Sequence, residues 1–203
     1  MQQIIFATGN QGKMREIRKI LENLVIEGEE TVIISMKDAG INPDIVEDGK
    51  TFEENAVIKA KAVAAYAPDA IVLADDSGLE IDYLNKEPGI YSARYLGEDT
   101  SYHIKNANLI ERLNGVEDEK RTARFVCAIA AVLPGGKVMT ETATIEGRID
   151  YEEKGKNGFG YDPIFYVPSY GKTTAELSED EKNEISHRGK ALRAIRERLL
   201  TGK

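Results

Sequence analysis

The run Ala70-Ile71-Val72-Leu73-Ala74 is apolar throughout, and it ends on Asp75-Asp76-Ser77-Gly78. A short apolar run with β-branched residues predicts a buried strand, here over 70–74, and Gly78 gives a turn signal after it. Two adjacent carboxylates at the end of a buried strand are costly unless a metal ion, a cationic side chain or backbone N–H donors offset their charge. The pair is therefore a candidate hard-cation site suited to magnesium. Asp, Ser and Gly are also turn formers, so a plain turn is the competing reading of the same residues.

A second stretch of the same kind opens the chain. Gln2 to Ala7 predicts a strand, Thr8-Gly9-Asn10-Gln11-Gly12-Lys13 a loop, and Met14 to Leu24 a helix with apolar residues at 14, 17, 20, 21 and 24. A helix N-terminus offers N–H groups and the positive end of a dipole, which suits a phosphate. The two glycines permit close backbone approach, Lys13 can place its charge on a phosphate oxygen, and Thr8 and Asn10 add donors. The spacing is too short for a Walker loop, and a plain strand-to-helix turn remains the alternative.

Thr31 to Ser35 predicts another strand, followed by a loop that carries Glu47 and Asp48. Thr51 and Glu54 form a capping-box pattern for a helix running to about Tyr66. Asn55 and Lys59 are four apart and share a face of it. Strand, helix, strand in this order predicts a βαβ-type unit within a mixed sheet. Further on, Tyr102 to Leu113 reads as a helix, and Thr122 to Leu133 with Lys137 to Ile145 as an antiparallel hairpin. Gly158 and Gly160 bracket Phe159, so its ring is expected at an exposed turn where it can stack on a base, with Asp162 as an acceptor. Ser178 and Glu181 cap a short helix, and Ser186 is the N-cap of a last amphipathic helix whose apolar pattern runs from Lys190 to Leu200. His187 and Arg188 fall in its first turn, where positive charge opposes the dipole unless something negative lies between them. Lys182 joins this cluster.

The 203 residues carry a formal charge of -8, a poor match for nucleic-acid polymers or anionic membranes. Cys127 is the single cysteine, so no intrachain disulfide forms, and its apolar setting predicts a structural thiol. No stretch approaches the roughly 18 apolar residues of a membrane span. A cytoplasmic protein with no membrane association is the expectation.

Taken together, six stretches resemble the inosine triphosphate pyrophosphatase family, which acts on noncanonical purine nucleoside triphosphates. They are TGNQGK at 8–13, TFEENA at 51–56, ADDSGL at 74–79, PGIYSARY at 88–95, GFGYDPIF at 158–165 and AELS…EK…ISHRG from 175 to 189, in the family order. The resemblance implies an α/β fold, a long curved mixed sheet whose helices form two lobes of a single domain around a central nucleotide cleft. It implies a homodimer and magnesium-dependent hydrolysis of ITP, dITP and XTP to the monophosphate and pyrophosphate. By the same resemblance, Thr8, Gly9, Asn10, Gln11, Gly12 and Lys13 bind the triphosphate and Asp76 is the general base and a magnesium ligand. Glu47 is the second metal carboxylate, with Asp48 as the alternative. Lys59, Ser77, Phe159, Gly160, Tyr161, Asp162, Lys182, His187 and Arg188 contact substrate. Two other readings compete: a Maf-type pyrophosphatase for modified pyrimidine nucleotides, and a nucleotide-binding regulator without turnover.

Overall fold

The structure is a computed structural model that describes residues 1–202. Its strands are β1 (Gln2–Phe6), β2 (Val25–Ile26), β3 (Glu29–Ser35), β4 (Ile71–Ile81), β5 (Thr122–Val132), β6 (Val138–Ile149), β7 (Phe165–Val167) and β8 (Lys172–Thr173). Its α-helices are α1 (Gln11–Ile20), α2 (Phe52–Ala64), α3 (Tyr102–Arg112), α4 (Glu179–Ile185) and α5 (His187–Thr201). The strands form one mixed α/β sheet in the order β2-β3-β1-β4-β5-β6-β7-β8. β1 pairs in parallel with both β3 and β4, the latter with Ile4 opposite Ile71 and Phe6 opposite Leu73. Antiparallel pairs join β2 to β3, β6 to β7 and β7 to β8.

The chain divides into two compact units. Unit 1 holds Met1–Asp76, Cys127–Ala143 and the chain from Arg188 onward; unit 2 holds Ser77–Val126 and Thr144–His187. Each has its own apolar core. In unit 1, Ile4, Phe6, Ile71 and Leu73 pack with Met14 and Ile17 of α1, with Leu21 just after it and with Leu192, Ile195 and Leu199 of α5. These helices turn their predicted apolar stripes inward, as a 3.6-residue period requires. In unit 2, Leu79, Ile81, Phe125, Ile149 and Phe165 pack with Leu109 of α3 and with Leu113 just after it. Cys127 is buried in the first core, and burial pushes its thiol up to about 12, as suits a structural cysteine.

Two element boundaries differ from expectation, and a third agrees with it. The strand predicted over 70–74 runs on to Ile81, so Asp75 and Asp76 lie within it rather than at its end. Helix α1 starts at Gln11 instead of Met14, which draws half of the TGNQGK stretch into its first turn. Helix α5 starts at His187, as expected with Ser186 before it, and the Ser186 N–H closes α4 on the Lys182 carbonyl at 2.8 Å.

Candidate active site

Strand geometry separates the two acids. Successive side chains on a strand point to opposite faces. Asp75 shares its parity with Ile71 and Leu73, the residues that pack against α1 and α5. Lys13 of α1 accordingly reaches it at 2.8 Å and Arg188 of α5 at 3.3 Å. Arg188 is held from its other side by Glu16 of α1 at 2.6 Å. All three buried members, Asp75, Arg188 and Glu16, are at most 5% exposed. Burial works against the Asp75 charge, but the Lys13 and Arg188 cations outweigh it and hold the carboxyl well below its ordinary value. The first-turn cation of α5 thus meets carboxylates of the protein itself, which offset its clash with the helix dipole.

Asp76 points the other way and meets α2. Lys59 Nζ lies 3.4 Å from Asp76 Oδ1 and 3.2 Å from Glu47 Oε2, so one ammonium bridges two carboxylates. Burial opposes the Lys59 charge, yet Asp75, Asp76 and Glu47 together raise its pKa above the ordinary value. For Asp76 the balance falls the opposite way. Burial raises its pKa, Lys59 and the neighbouring Asn55 counter this, and Glu47 and Asp75 add to the rise. Its Oδ2 is buried and has no hydrogen-bond partner. Asp48, the alternative to Glu47, is exposed, and it is Glu47 that reaches Lys59.

The loop before α1 is built as a cradle. Asn10 caps the helix, its Oδ1 accepting from Lys13 N at 3.1 Å. Thr8 is buried, and its Oγ1 accepts from Asn10 N at 3.1 Å. Gly9, Asn10 and Gln11 are exposed, and Gly12 is half-buried. A Cβ at Gly9 would meet nothing within 4 Å, so packing does not demand glycine there. Open space beside a helix N-terminus is room for an anion.

Unit 2 holds the second set. Asp162 organises its loop: Oδ2 accepts from Phe159 N at 2.8 Å and pairs with Lys182 Nζ at 2.7 Å, while Oδ1 accepts from Thr174 Oγ1 at 2.8 Å. The Lys182 ammonium also lies 4.8 Å from the centre of the Phe159 ring. A Cβ at Gly158, where φ is +73°, would fall 2.2 Å from Asp162 Oδ2, so this turn requires glycine. Phe159 and Gly160 are half-buried, less open than the sequence suggests. Tyr161 belongs to the core, its hydroxyl donating to the Ser92 carbonyl at 2.6 Å and its ring edge-on to Tyr102. Burial drives its phenol far above the ordinary pKa. His187 is 7% exposed and stacks on Phe125 at 4.9 Å. Ser77 is half-buried in β4.

A family model described as the Ham1 family matches residues 4–198. The chain belongs to the Ham1 family. It is 48% identical over 198 residues to a dITP/XTP pyrophosphatase of Exiguobacterium sibiricum, covering 98% of this chain and 97% of that one. Two solved structures, each matched over 100% of both chains, are similar to it. They are a HAM1 protein from Coxiella burnetii (41% identity, TM-score 0.87) and the Staphylococcus aureus Ham1 protein (40%, 0.85).

Within this Ham1 chain, unit 1 gathers Lys13, Asp75 and Arg188 on one face of β4 and Glu47, Lys59 and Asp76 on the other. Unit 2 gathers Phe159, Asp162 and Lys182. Sequence reasoning passed over Glu16, although an acid beside Met14 and Ile17 on an amphipathic helix was a signal that it is buried. Cavities of about 310 and 410 Å³, beside Gln2 and Leu199 and beside Gln3 and Tyr66, hold none of the candidate side chains.

Proposed function

We propose that this Ham1 chain hydrolyses dITP, XTP and ITP to the nucleoside monophosphate and pyrophosphate, removing deaminated purines from the nucleotide pool. The activity class follows from family membership and from the relatives named dITP/XTP pyrophosphatase. The observation that carries the mechanism is the ammonium of Lys59 held between Glu47 and Asp76, with Asp76 Oδ2 buried and unpartnered. A pair of carboxylates that already brackets a cation suits magnesium. Among the described residues no three His, Cys, Asp or Glu side chains cluster as a metal cage. Magnesium does not need one: one or two carboxylates suffice when waters and substrate phosphates complete the shell. Glu47 and Asp76 would hold it, and it would neutralise the charge of the phosphates.

The residues of the chain divide the work. The α1 N-terminus, Thr8 to Gly12 and Lys13 hold the triphosphate, and Lys59 adds a second cation. Asp76, its pKa raised, is a base that takes a proton from the attacking water. The water oxygen bonds to the α-phosphorus, and the bond to the bridging oxygen breaks with its electron pair leaving on pyrophosphate. Phe159, fixed by Asp162 and Lys182, offers a face for the purine, while Ser77, Gly160 and Tyr161 shape the contact. His187 and Arg188 are donors suited to the O6 acceptor of hypoxanthine or xanthine, where adenine carries an amino group.

The reading extends to a homodimer in the cytoplasm. Tyr83, Tyr91, Leu96 and Ile104 are exposed large side chains of unit 2 that suit a subunit contact. No helix among the described residues is long and apolar enough to cross a membrane. One panel tests the whole: dITP, XTP, ITP, ATP and GTP with and without magnesium, with product identification. Pyrophosphate from the deaminated purines only with magnesium is expected. Orthophosphate as the first product overturns the pyrophosphatase reading, and undiminished turnover without a divalent ion overturns the magnesium site.

A further inference from the structure

One buried side chain of α3 fastens both limbs of the turn Gly158-Phe159-Gly160. Asn106 is 1% exposed and lies four residues after Tyr102, on the same face of α3. Its Nδ2 donates to Glu153 Oε1 at 2.7 Å and to the Gly160 carbonyl at 3.4 Å. Both partners are acceptors, so the orientation of the carboxamide is fixed and both of its amide hydrogens are engaged. Glu153 lies on the limb of chain that enters the turn, and Gly160 on the limb that leaves it. A single amide therefore ties the two limbs to one helix. All of these residues belong to unit 2.

The neighbours make the anchorage firm. A Cβ on Gly160 would lie 3.6 Å from the Tyr102 ring, which stands edge-on to Tyr161 with ring centroids 5.1 Å apart. Glu153 Oε2 meets His103 Nδ1 at 2.5 Å, so the carboxylate that holds Asn106 is itself held by α3. Within the turn, Asp162 Oδ2 accepts from Phe159 N at 2.8 Å. Asp162 thus fixes the internal shape of the turn, and Asn106 fixes where the turn stands on α3.

The same amide is a poor choice for stability. Its Oδ1 is buried and has no hydrogen-bond partner. A buried acceptor left unpaired costs free energy that a leucine of similar volume does not incur. A polar residue that breaks this rule in the interior points to a task other than folding. On the pyrophosphatase reading, on which this inference rests, the task follows from what the turn carries, the Phe159 ring offered to the purine. We infer that Asn106 is a positioning residue for the purine. By fastening both limbs it sets the height and tilt of the Phe159 face, and with them the affinity for the base. It touches no reacting atom, so its contribution is to binding and not to the chemical step.

The rival role for Asn106 is a link that stabilises the fold and nothing more. Asn106→Leu separates the two, because it removes both donated bonds together with the unpaired oxygen. The expected result is a rise in KM for dITP of about tenfold, within the range that one base–aromatic stack contributes. The kcat changes far less, and the melting temperature stays near that of the unmodified protein. An unchanged KM in the folded variant overturns the inference, and so does a loss confined to kcat. Glu153 is a milder probe, since its side chain is 28% exposed. Glu153→Ala should raise KM in the same direction, and Glu153→Gln, which keeps an oxygen for Asn106, should recover most of that loss. Equal KM values in those two variants overturn the inference. The chain has no tryptophan, so Phe159→Trp introduces a single fluorophore that reads the turn without turnover. Adding Asn106→Leu to it should shift the ligand-free emission and raise the dissociation constant of dIMP measured by quenching. Identical emission and affinity with and without Asn106→Leu overturn the inference. If the unmodified protein releases no pyrophosphate from dITP, the functional reading fails. The emission still decides whether Asn106 sets the turn.

Discussion

The two faces of β4 carry the same side chain in opposite states. On one face Asp75 is 1% exposed and met by Lys13 and Arg188, with Glu16 holding the arginine from behind. On the other, Asp76 is 8% exposed and shares one ammonium with Glu47. Charge balance lowers the pKa of the first, and burial with incomplete balance raises that of the second. A carboxylate saturated with cations is a poor proton acceptor and a good strut. One left short of cations is a better base and a place for a metal. Chemistry and support are thus divided between neighbours in sequence by the pleat of a strand.

The largest effect expected is on Asp76. Asp76→Asn should lower kcat by about a hundredfold to ten-thousandfold, the range for a lost general base, while nucleotide binding persists. Its folding stability should hold or rise, because a buried and poorly balanced charge has gone. Chemical denaturation together with steady-state kinetics checks both halves, and full activity in the variant removes Asp76 from the base role. Asp75→Asn should do the reverse. It breaks a buried ion-pair cluster, which costs about 3–5 kcal/mol of stability by denaturant titration. The sign of the pH effect follows: a depressed carboxyl contributes stability above its unfolded pKa, and that stability is lost as pH falls through the folded value. The native protein should therefore show a steeper acid loss than Asp75→Asn, and equal acid profiles would end the contrast.

Smaller effects sharpen it. Glu16→Gln keeps the shape but removes the charge behind Arg188, and should cost about 1.5–3 kcal/mol. Arg188→Ala should loosen the preference for ITP over ATP as well as lower the melting temperature. An unchanged substrate ratio in a folded variant would make Arg188 a strut alone. Smallest of all, Cys127 should resist alkylation in mildly alkaline buffer and react only after unfolding, since burial holds its thiol near 12. Rapid labelling of the folded protein would mean that the first core opens readily.

Much of this was legible in the residues. The apolar run at 70–74 and the TGNQGK stretch named the strands and the helix that build the acid-bearing face. The capping-box patterns marked the starts of α2 and α4, although at α2 the Glu54 carboxylate accepts from Lys50 N instead of closing the box on Thr51. What stayed hidden was the parity of the acids. The strand looked finished at Ala74, and only its continuation to Ile81 places Asp75 and Asp76 within it, on opposite faces. Tyr161 reads as a substrate contact beside Phe159, and only packing shows that its hydroxyl is engaged by Ser92. Asn55 was visible as a polar residue beside the Ala56, Ala60 and Val63 stripe of α2. Its engagement with the Gly49 N–H is a property of three dimensions, since it depends on which loop folds back onto α2.

The pairing of β4 with β1 sets Ile71 opposite Ile4, Val72 opposite Ile5 and Leu73 opposite Phe6. Because a one-residue slip exchanges the faces of every side chain, this alignment also fixes which carboxylate is reactive. Slipped by one, the strand would offer Asp75 to α2 and Asp76 to Lys13 and Arg188, with the composition of the site unchanged and its chemistry inverted. The way the continuous apolar run Ile4, Ile5 and Phe6 seats against β4 therefore stores a piece of catalytic information at a distance from any reacting atom.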